Sequence, residues 1–177
     1  MARLDGKVAF ITGAGAGIAR QAGIRFAAEG ASIGVAEINS DTGTDTARVL
    51  QTDGGKAVAI TTDFTRPYQV ELAIRETVAT FGSLDIIFNH AGGPAPLDDS
   101  VAEIPTEAWD RGIQMDLYVT FLGCRFGIPE LRKAGGGSII NMSSAMGLLG
   151  ETQGFPPRHS YSAAKGGISA LTRCVHM

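Results

Sequence analysis

Residues 8–19 restrict the fold more than any other stretch of this chain. The run Val8-Ala9-Phe10-Ile11-Thr12 is short, apolar and β-branched, and it leads at once into Gly13-Ala14-Gly15-Ala16-Gly17-Ile18-Ala19 and a helical pattern ending near Glu29. Glycine without a Cβ lets the backbone turn sharply and lets a ligand approach it closely. A strand that hands over to a helix through such a turn points free N–H groups and the positive end of the helix dipole at whatever sits there, which suits a diphosphate. The cluster alone says little, but between the first strand and first helix of a βαβ unit it has the context that a dinucleotide site requires. About 20 residues on, the second apolar run ends in Glu37, placed to accept hydrogen bonds from an adenosine ribose and to repel a 2′-phosphate. Ile38-Asn39-Ser40 bring no Arg or Lys to receive such a phosphate, so NAD is expected over NADP. The plainer alternative is a tight turn followed by a solvated strand end.

The 177 residues carry a net charge of −3, with 44% hydrophobic and 19% charged side chains, enough apolar content for one globular core and too much for a disordered chain. Without basic blocks there is nothing to neutralise a row of phosphates, so neither nucleic acid nor an anionic membrane is an expected partner. No apolar run approaches the roughly 18 residues of a membrane span, and a cytoplasmic location is the default. Cys124 and Cys174 lie far apart with no metal-ligand spacing around them, so neither a metal nor a disulfide is expected.

Five strand-like runs alternate with helical patterns, which demands crossover connections and a parallel sheet. The strands are read as Val8–Thr12, Ser32–Glu37, Ala57–Thr62, Leu84–Asn89 and Ser138–Ser143. The helices are read as Gly17–Glu29, Asp41–Thr52, Pro67–Phe81, Thr106–Ala134 and one from about Ser160 onward. Thr65 is expected to cap the third helix ahead of Pro67. Ala91-Gly92-Gly93-Pro94-Ala95-Pro96 and Glu151–His159 can only be loops. The expected architecture is a doubly wound α/β domain over residues 1–177, strand order 3-2-1-4-5, with a ligand at the switch point between strands one and four.

Tyr161 and Lys165 are four apart in the last helical pattern and so share a face. A cation beside a phenol favours the phenolate and suits it to proton transfer near neutral pH. In order along the chain stand Thr12-Gly13-x-x-x-Gly17, Asn89-His90-Ala91-Gly92, Asn141-Met142-Ser143-Ser144, Tyr161 and Lys165. This ensemble resembles the short-chain dehydrogenase/reductase family with its Rossmann fold. The resemblance implies hydride exchange between NAD and a small alcohol or ketone. It makes Tyr161 the acid–base, has Lys165 assist it and hold the nicotinamide ribose, and gives Ser144 the substrate oxygen. It implies cofactor contacts from Gly13, Gly15, Gly17, Ile18, Glu37, Asp63, Phe64, Asn89, Ala91, Gly92, Tyr161 and Lys165, and a homo-oligomer built on the long helix and the last one. His90 stands where the family has asparagine and is read as a packed or solvated ring.

The chain departs from the pattern at four places. Ala19 replaces a glycine of the turn. Asp116 stands at the family's catalytic asparagine, where it accepts from water but adds a negative charge beside Lys165 and alters the pH dependence. Glu151–His159 lengthens the loop before Tyr161 and brings Phe155 or His159 to the substrate pocket or to the surface. The sequence ends at Met177 where the family continues for two strands, so the fifth strand is expected to be an exposed edge unless another chain covers it, as in a truncated product or an oligomer. Asp116 and this short end favour a non-catalytic nucleotide-binding or interaction module as the alternative. A sugar-nucleotide epimerase or dehydratase fits less well, because its turn is Gly-x-x-Gly and it carries a second domain.

Overall fold

In the computed structural model, which describes residues 2–150 and 156–175, five parallel strands form one sheet. The strands are β1 (Val8–Thr12), β2 (Ser32–Glu37), β3 (Lys56–Thr61), β4 (Ile86–Asn89) and β5 (Ser138–Asn141), in the order 3-2-1-4-5. The helices are α1 (Gly17–Ala28), α2 (Ser40–Thr52), α3 (Pro67–Phe81), α4 (Thr106–Ile113), α5 (Val119–Lys133), α6 (Met146–Leu149) and α7 (His159–Cys174). Register is continuous: Val8 to Thr12 pair with Ser32 to Ala36, and Ile86 to Asn89 pair with Ser138 to Asn141.

All five residues of β1 are buried, which is why this strand reads as an apolar run and not as an alternation. Its side chains divide between two cores. Phe10 joins Ile74, Ile87, Leu122 and Leu131 under α3 and α5, whereas Ala9 and Ile11 join Ile33, Val35, Leu50 and Phe88 under α1 and α2. Each fully buried Ile, Leu or Phe contributes about 1.5–3 kcal/mol, so both faces of the sheet need their helices.

The boundaries shift where hydrogen bonds outvote pattern. Asn39 accepts from the N–H groups of Asp41 and Thr42, so α2 starts one residue earlier than hydropathy suggests. Leu84 lies outside β4 and packs in the core, while Asp85 turns its carboxylate to Lys7 and the Val8 N–H. β3 runs one residue earlier than expected, and β5 ends at Asn141. Thr65 does not cap α3. The cap position is Arg66, without a side-chain bond, and Thr65 donates from both its hydroxyl and its N–H to Asp63 instead. The expected single helix 106–134 is two, α4 and α5, separated by a wider π turn over Gln114–Tyr118. The short helix α6 has no counterpart in the sequence reading.

Candidate active site

A cavity of about 420 Å³ opens at the carboxyl ends of the strands, lined by residues that follow β1, β2, β3 and β4. Gly13 and Gly17 adopt φ of +68° and +57°, the left-handed region where a side chain is strained. A Cβ on Gly13 would also press within 3.1 Å of the Ala91 backbone. Thr12 Oγ1 accepts from the N–H groups of His90 and Ala91 at 2.9 and 3.0 Å, tying the loop after β4 to the turn after β1. The first turn of α1 has no side-chain cap and no acid, so its leading N–H groups are available to an anion.

Glu37 stands at the rim of this cavity with its carboxylate held by three backbone donors. Oε2 accepts from Gly15 N–H at 2.9 Å, and Oε1 accepts from Ile38 and Asn39 N–H at 2.9 and 3.2 Å. Gly15 is thereby buried behind Glu37, where a Cβ would collide with Glu37 and Thr42, and it backs the cavity without lining it. Ile18 is exposed and lies outside the lining. Asp63, Phe64, Ala91 and Gly92 are at the cavity wall. The Thr65 hydroxyl, with its N–H and Arg66, outweighs partial burial and holds the Asp63 carboxyl below its ordinary range. Asn89 is not at the wall: its buried amide donates to Asn141 Oδ1 at 2.8 Å and contacts Cys124, joining β4 to β5.

Tyr161 and Lys165 share a face of α7, with the ammonium 5.4 Å from the centre of the phenol ring. Lys165 is almost fully buried. Its Nζ donates to the Met142 carbonyl at 2.9 Å and pairs with Asp116 Oδ1 at 2.9 Å. Asp116 itself is 0% exposed, and the π turn is what brings it inward beside Gly92. Burial pushes its carboxyl above the usual range even though Lys165 and the Gly93 amide oppose that shift. The sequence reading put a negative charge beside Lys165 at this position, and the fold makes Asp116 its direct charge partner.

Ser143 and Ser144 part company. Ser143 Oγ donates to the Lys165 carbonyl and bonds Ser169, bracing α7. Ser144 Oγ accepts from Met146 N–H at 3.3 Å, which leaves its own proton free to donate. His90 lines the cavity, edge-on to Phe88, and burial followed by the charge of Lys165 holds its imidazole below the ordinary value. His159 Nδ1 accepts from Val101 N–H at 2.7 Å, so that nitrogen is spent on the loop after β4. Phe155, the other side chain considered for the pocket, lies outside the described residues.

The family described as short chain dehydrogenase matches residues 7–177. The chain belongs to that family. Among short-chain dehydrogenase relatives, an uncharacterized oxidoreductase of Thermotoga maritima is 36% identical over 97% of this chain and 65% of its own length. The cyclohexanol dehydrogenase of an Acinetobacter strain is 34% identical, over 98% of this chain and 67% of its own length. A solved 7α-hydroxysteroid dehydrogenase, in complex with NADH and 7-oxo glycochenodeoxycholic acid, superposes with a TM-score of 0.85 at 34% identity, covering 96% of this chain and 64% of that one. The chain thus spans about two thirds of the length of these short-chain dehydrogenases.

Sequence reasoning missed Asp98 and Met115, and it quoted Thr12 in the glycine turn without its bonds to His90 and Ala91. Met115 lies in the π turn and lines the cavity. Asp98 reaches α7 across 62 residues of sequence, a separation at which no periodicity or cap signature applies. Among the described residues no helix is long and apolar enough to cross a membrane, and no three His, Cys, Asp or Glu converge as metal ligands would.

Proposed function

We propose that the chain is an NAD-dependent oxidoreductase acting on a small secondary alcohol or its ketone, with Tyr161 as acid–base. The observation that carries this is the buried Lys165 ammonium set against the Tyr161 ring, next to a cavity whose glycine turn and uncapped helix start suit a diphosphate. The dinucleotide would lie along Gly13, Gly17, Glu37, Asp63 and Ala91, with Lys165 toward its nicotinamide ribose. Bound there, it supplies the acceptor or donor of hydride. In oxidation the Tyr161 phenolate takes the hydroxyl proton as the carbinol carbon gives up its hydride; in reduction the phenol returns that proton to the carbonyl oxygen. The Ser144 hydroxyl donates to the same substrate oxygen and stabilises charge developing on it. Asp116 fixes Lys165 and offsets part of its charge.

Glu37 favours NAD, because a 2′-phosphate would face a carboxylate already held in place by three N–H groups. A homo-oligomer is supported by the apolar groove that Ile113 of α4, Leu117 of the π turn and Phe121 of α5 form with Leu171 of α7. The Asp116–Lys165 pair also favours a second reading, a nucleotide-binding module without turnover, since a carboxylate on the ammonium restrains what it can do for Tyr161. Titrating NADH and NADPH by fluorescence, then assaying secondary alcohols with NAD or NADP added as hydride acceptor, decides between them. Tighter NADH binding with turnover is expected. Binding without turnover selects the module, and no binding of either dinucleotide rejects both.

A further inference from the structure

The helix that carries Tyr161 and Lys165 begins without a cap of its own. Arg158, at its N-cap, makes no side-chain bond to the first turn, although the leading N–H groups of any helix need acceptors. A distant carboxylate supplies them. Asp98 Oδ1 accepts from Ser160 N–H and Oδ2 from Tyr161 N–H, each at 3.0 Å.

Two further bonds fasten the same loop. His159 N–H donates to the Asp99 carbonyl at 3.3 Å, and Val101 N–H donates to His159 Nδ1 at 2.7 Å. The backbone bends to reach this position: Leu97, just before Asp98, has φ of +63° and is the one non-glycine among the described residues at positive φ. Its side chain is largely exposed, so packing of the leucine does not account for that conformation. On the opposite side Ser160 is fully buried against Gly112 of α4, where a Cβ would collide with its hydroxyl. The start of α7 is clamped between α4 and the loop, and Tyr161 is the last residue inside the clamp.

We propose that Asp98 is a positioning residue: its carboxylate, carried by the loop after β4, caps the helix bearing Tyr161 and Lys165 and sets both the place of the phenol and the charge it works against. The proposal rests on the reading of Tyr161 as the acid–base. Both Asp98 oxygens are engaged by backbone N–H groups of the helix, which makes its effect on the reaction one exerted through Tyr161. A carboxylate at the positive end of α7 offsets the dipole that would otherwise favour a phenolate. Its field reaches Asp116, where it adds to the upward push of burial on that carboxyl. The other charged or titratable groups described in this neighbourhood are Lys165 on α7, Asp116 in the π turn, His90 after β4, Asp99 on the loop, Arg158 and His159 at the start of α7, and Glu107, Asp110 and Arg111 of α4, which line a cavity with Leu97.

Asp98→Ala removes both cap bonds; Asp98→Asn keeps an acceptor and removes the charge. With saturating NAD and a secondary alcohol, Asp98→Ala is expected to lower kcat about tenfold at temperatures where it is fully folded, and Asp98→Asn to recover most of that loss. NADH affinity should stay unchanged in both, since the clamp lies off the dinucleotide cavity. In Asp98→Asn the acid limb of the kcat profile should move down by about half a pH unit, which a purely structural cap would not cause. A readout independent of turnover is the ring ¹³C resonance of Tyr161, one of three tyrosines, assigned with Tyr161→Phe. It is expected to shift in Asp98→Asn and to titrate at lower pH. An unmoved resonance and limb in Asp98→Asn overturn the proposal, and that variant carries the test if Asp98→Ala does not fold. Full activity of Tyr161→Phe would instead remove the acid–base reading, a result distinct from an Asp98 variant that changes nothing while Tyr161→Phe is inactive.

Discussion

The Asp116 carboxylate stands 2.9 Å from the ammonium that lies over the Tyr161 ring. Asp116→Asn should free that ammonium to act on the phenol, so the acid limb of alcohol oxidation moves to lower pH by on the order of one unit. The difference should close at low pH, where the raised Asp116 carboxyl takes up its proton and parent and variant become alike. An unchanged limb across a pH series would show that Asp116 does not modulate Tyr161. Asp63 offers a stability test of opposite sign. Its carboxyl is held low, so it contributes stability above the unfolded value near 4 and loses that contribution as pH falls through the folded value. Thr65→Ala, which deletes the 2.7 Å hydroxyl bond, should cost about 1 kcal/mol at pH 7 and progressively less below about pH 4, read from urea melts. Residue-scale features written in local sequence were legible: the glycines of the turn, Glu37 at the strand end, and the four-residue spacing of Tyr161 and Lys165. Asn89 was placed at the end of the fourth strand, but its bond to Asn141 was not legible, because that partner is 52 residues away.

Strands and helices followed from hydropathy wherever both faces of the sheet were covered, as in β1 and β2, whose spans match residue for residue. The π turn did not, because Gln114–Tyr118 contains no glycine or proline and looks like uninterrupted helix. What distinguishes it is a tertiary demand: Asp116 must reach Lys165 while α5 keeps Leu122 and Leu131 in the core. α6 escaped notice because a four-residue helix has no amphipathic period to read. The packing of α4 on α7 is set by Gly112, and Gly112→Ala forces its methyl into Ser160. A loss of about 1–3 kcal/mol in thermal or urea unfolding is expected, with activity falling more than stability because Ser160 adjoins Tyr161. A variant with parent stability and parent turnover would show that this contact can relax freely.

For the molecule as a whole, topology was legible because an all-parallel sheet with crossover helices leaves few permitted strand orders. The expected interface on the long helix and the last one falls where an apolar groove is left uncovered among the described residues. Tyr118 stacks on Phe121 at 6.0 Å beside Leu117 and Leu171. The parent should run above its 18.4 kDa monomer mass in light scattering, and Phe121→Glu should return it to that mass. A parent that is already monomeric would reject this face as an interface. The central claim is that a phenol held against Lys165 moves the proton of an alcohol while its hydride goes to NAD. The direct measurement is initial NADH formation from a secondary alcohol by the parent and by Tyr161→Phe at equal NAD occupancy. The account expects a loss of about 10²–10⁴-fold in the variant with NADH affinity retained; equal rates from the two proteins would contradict it.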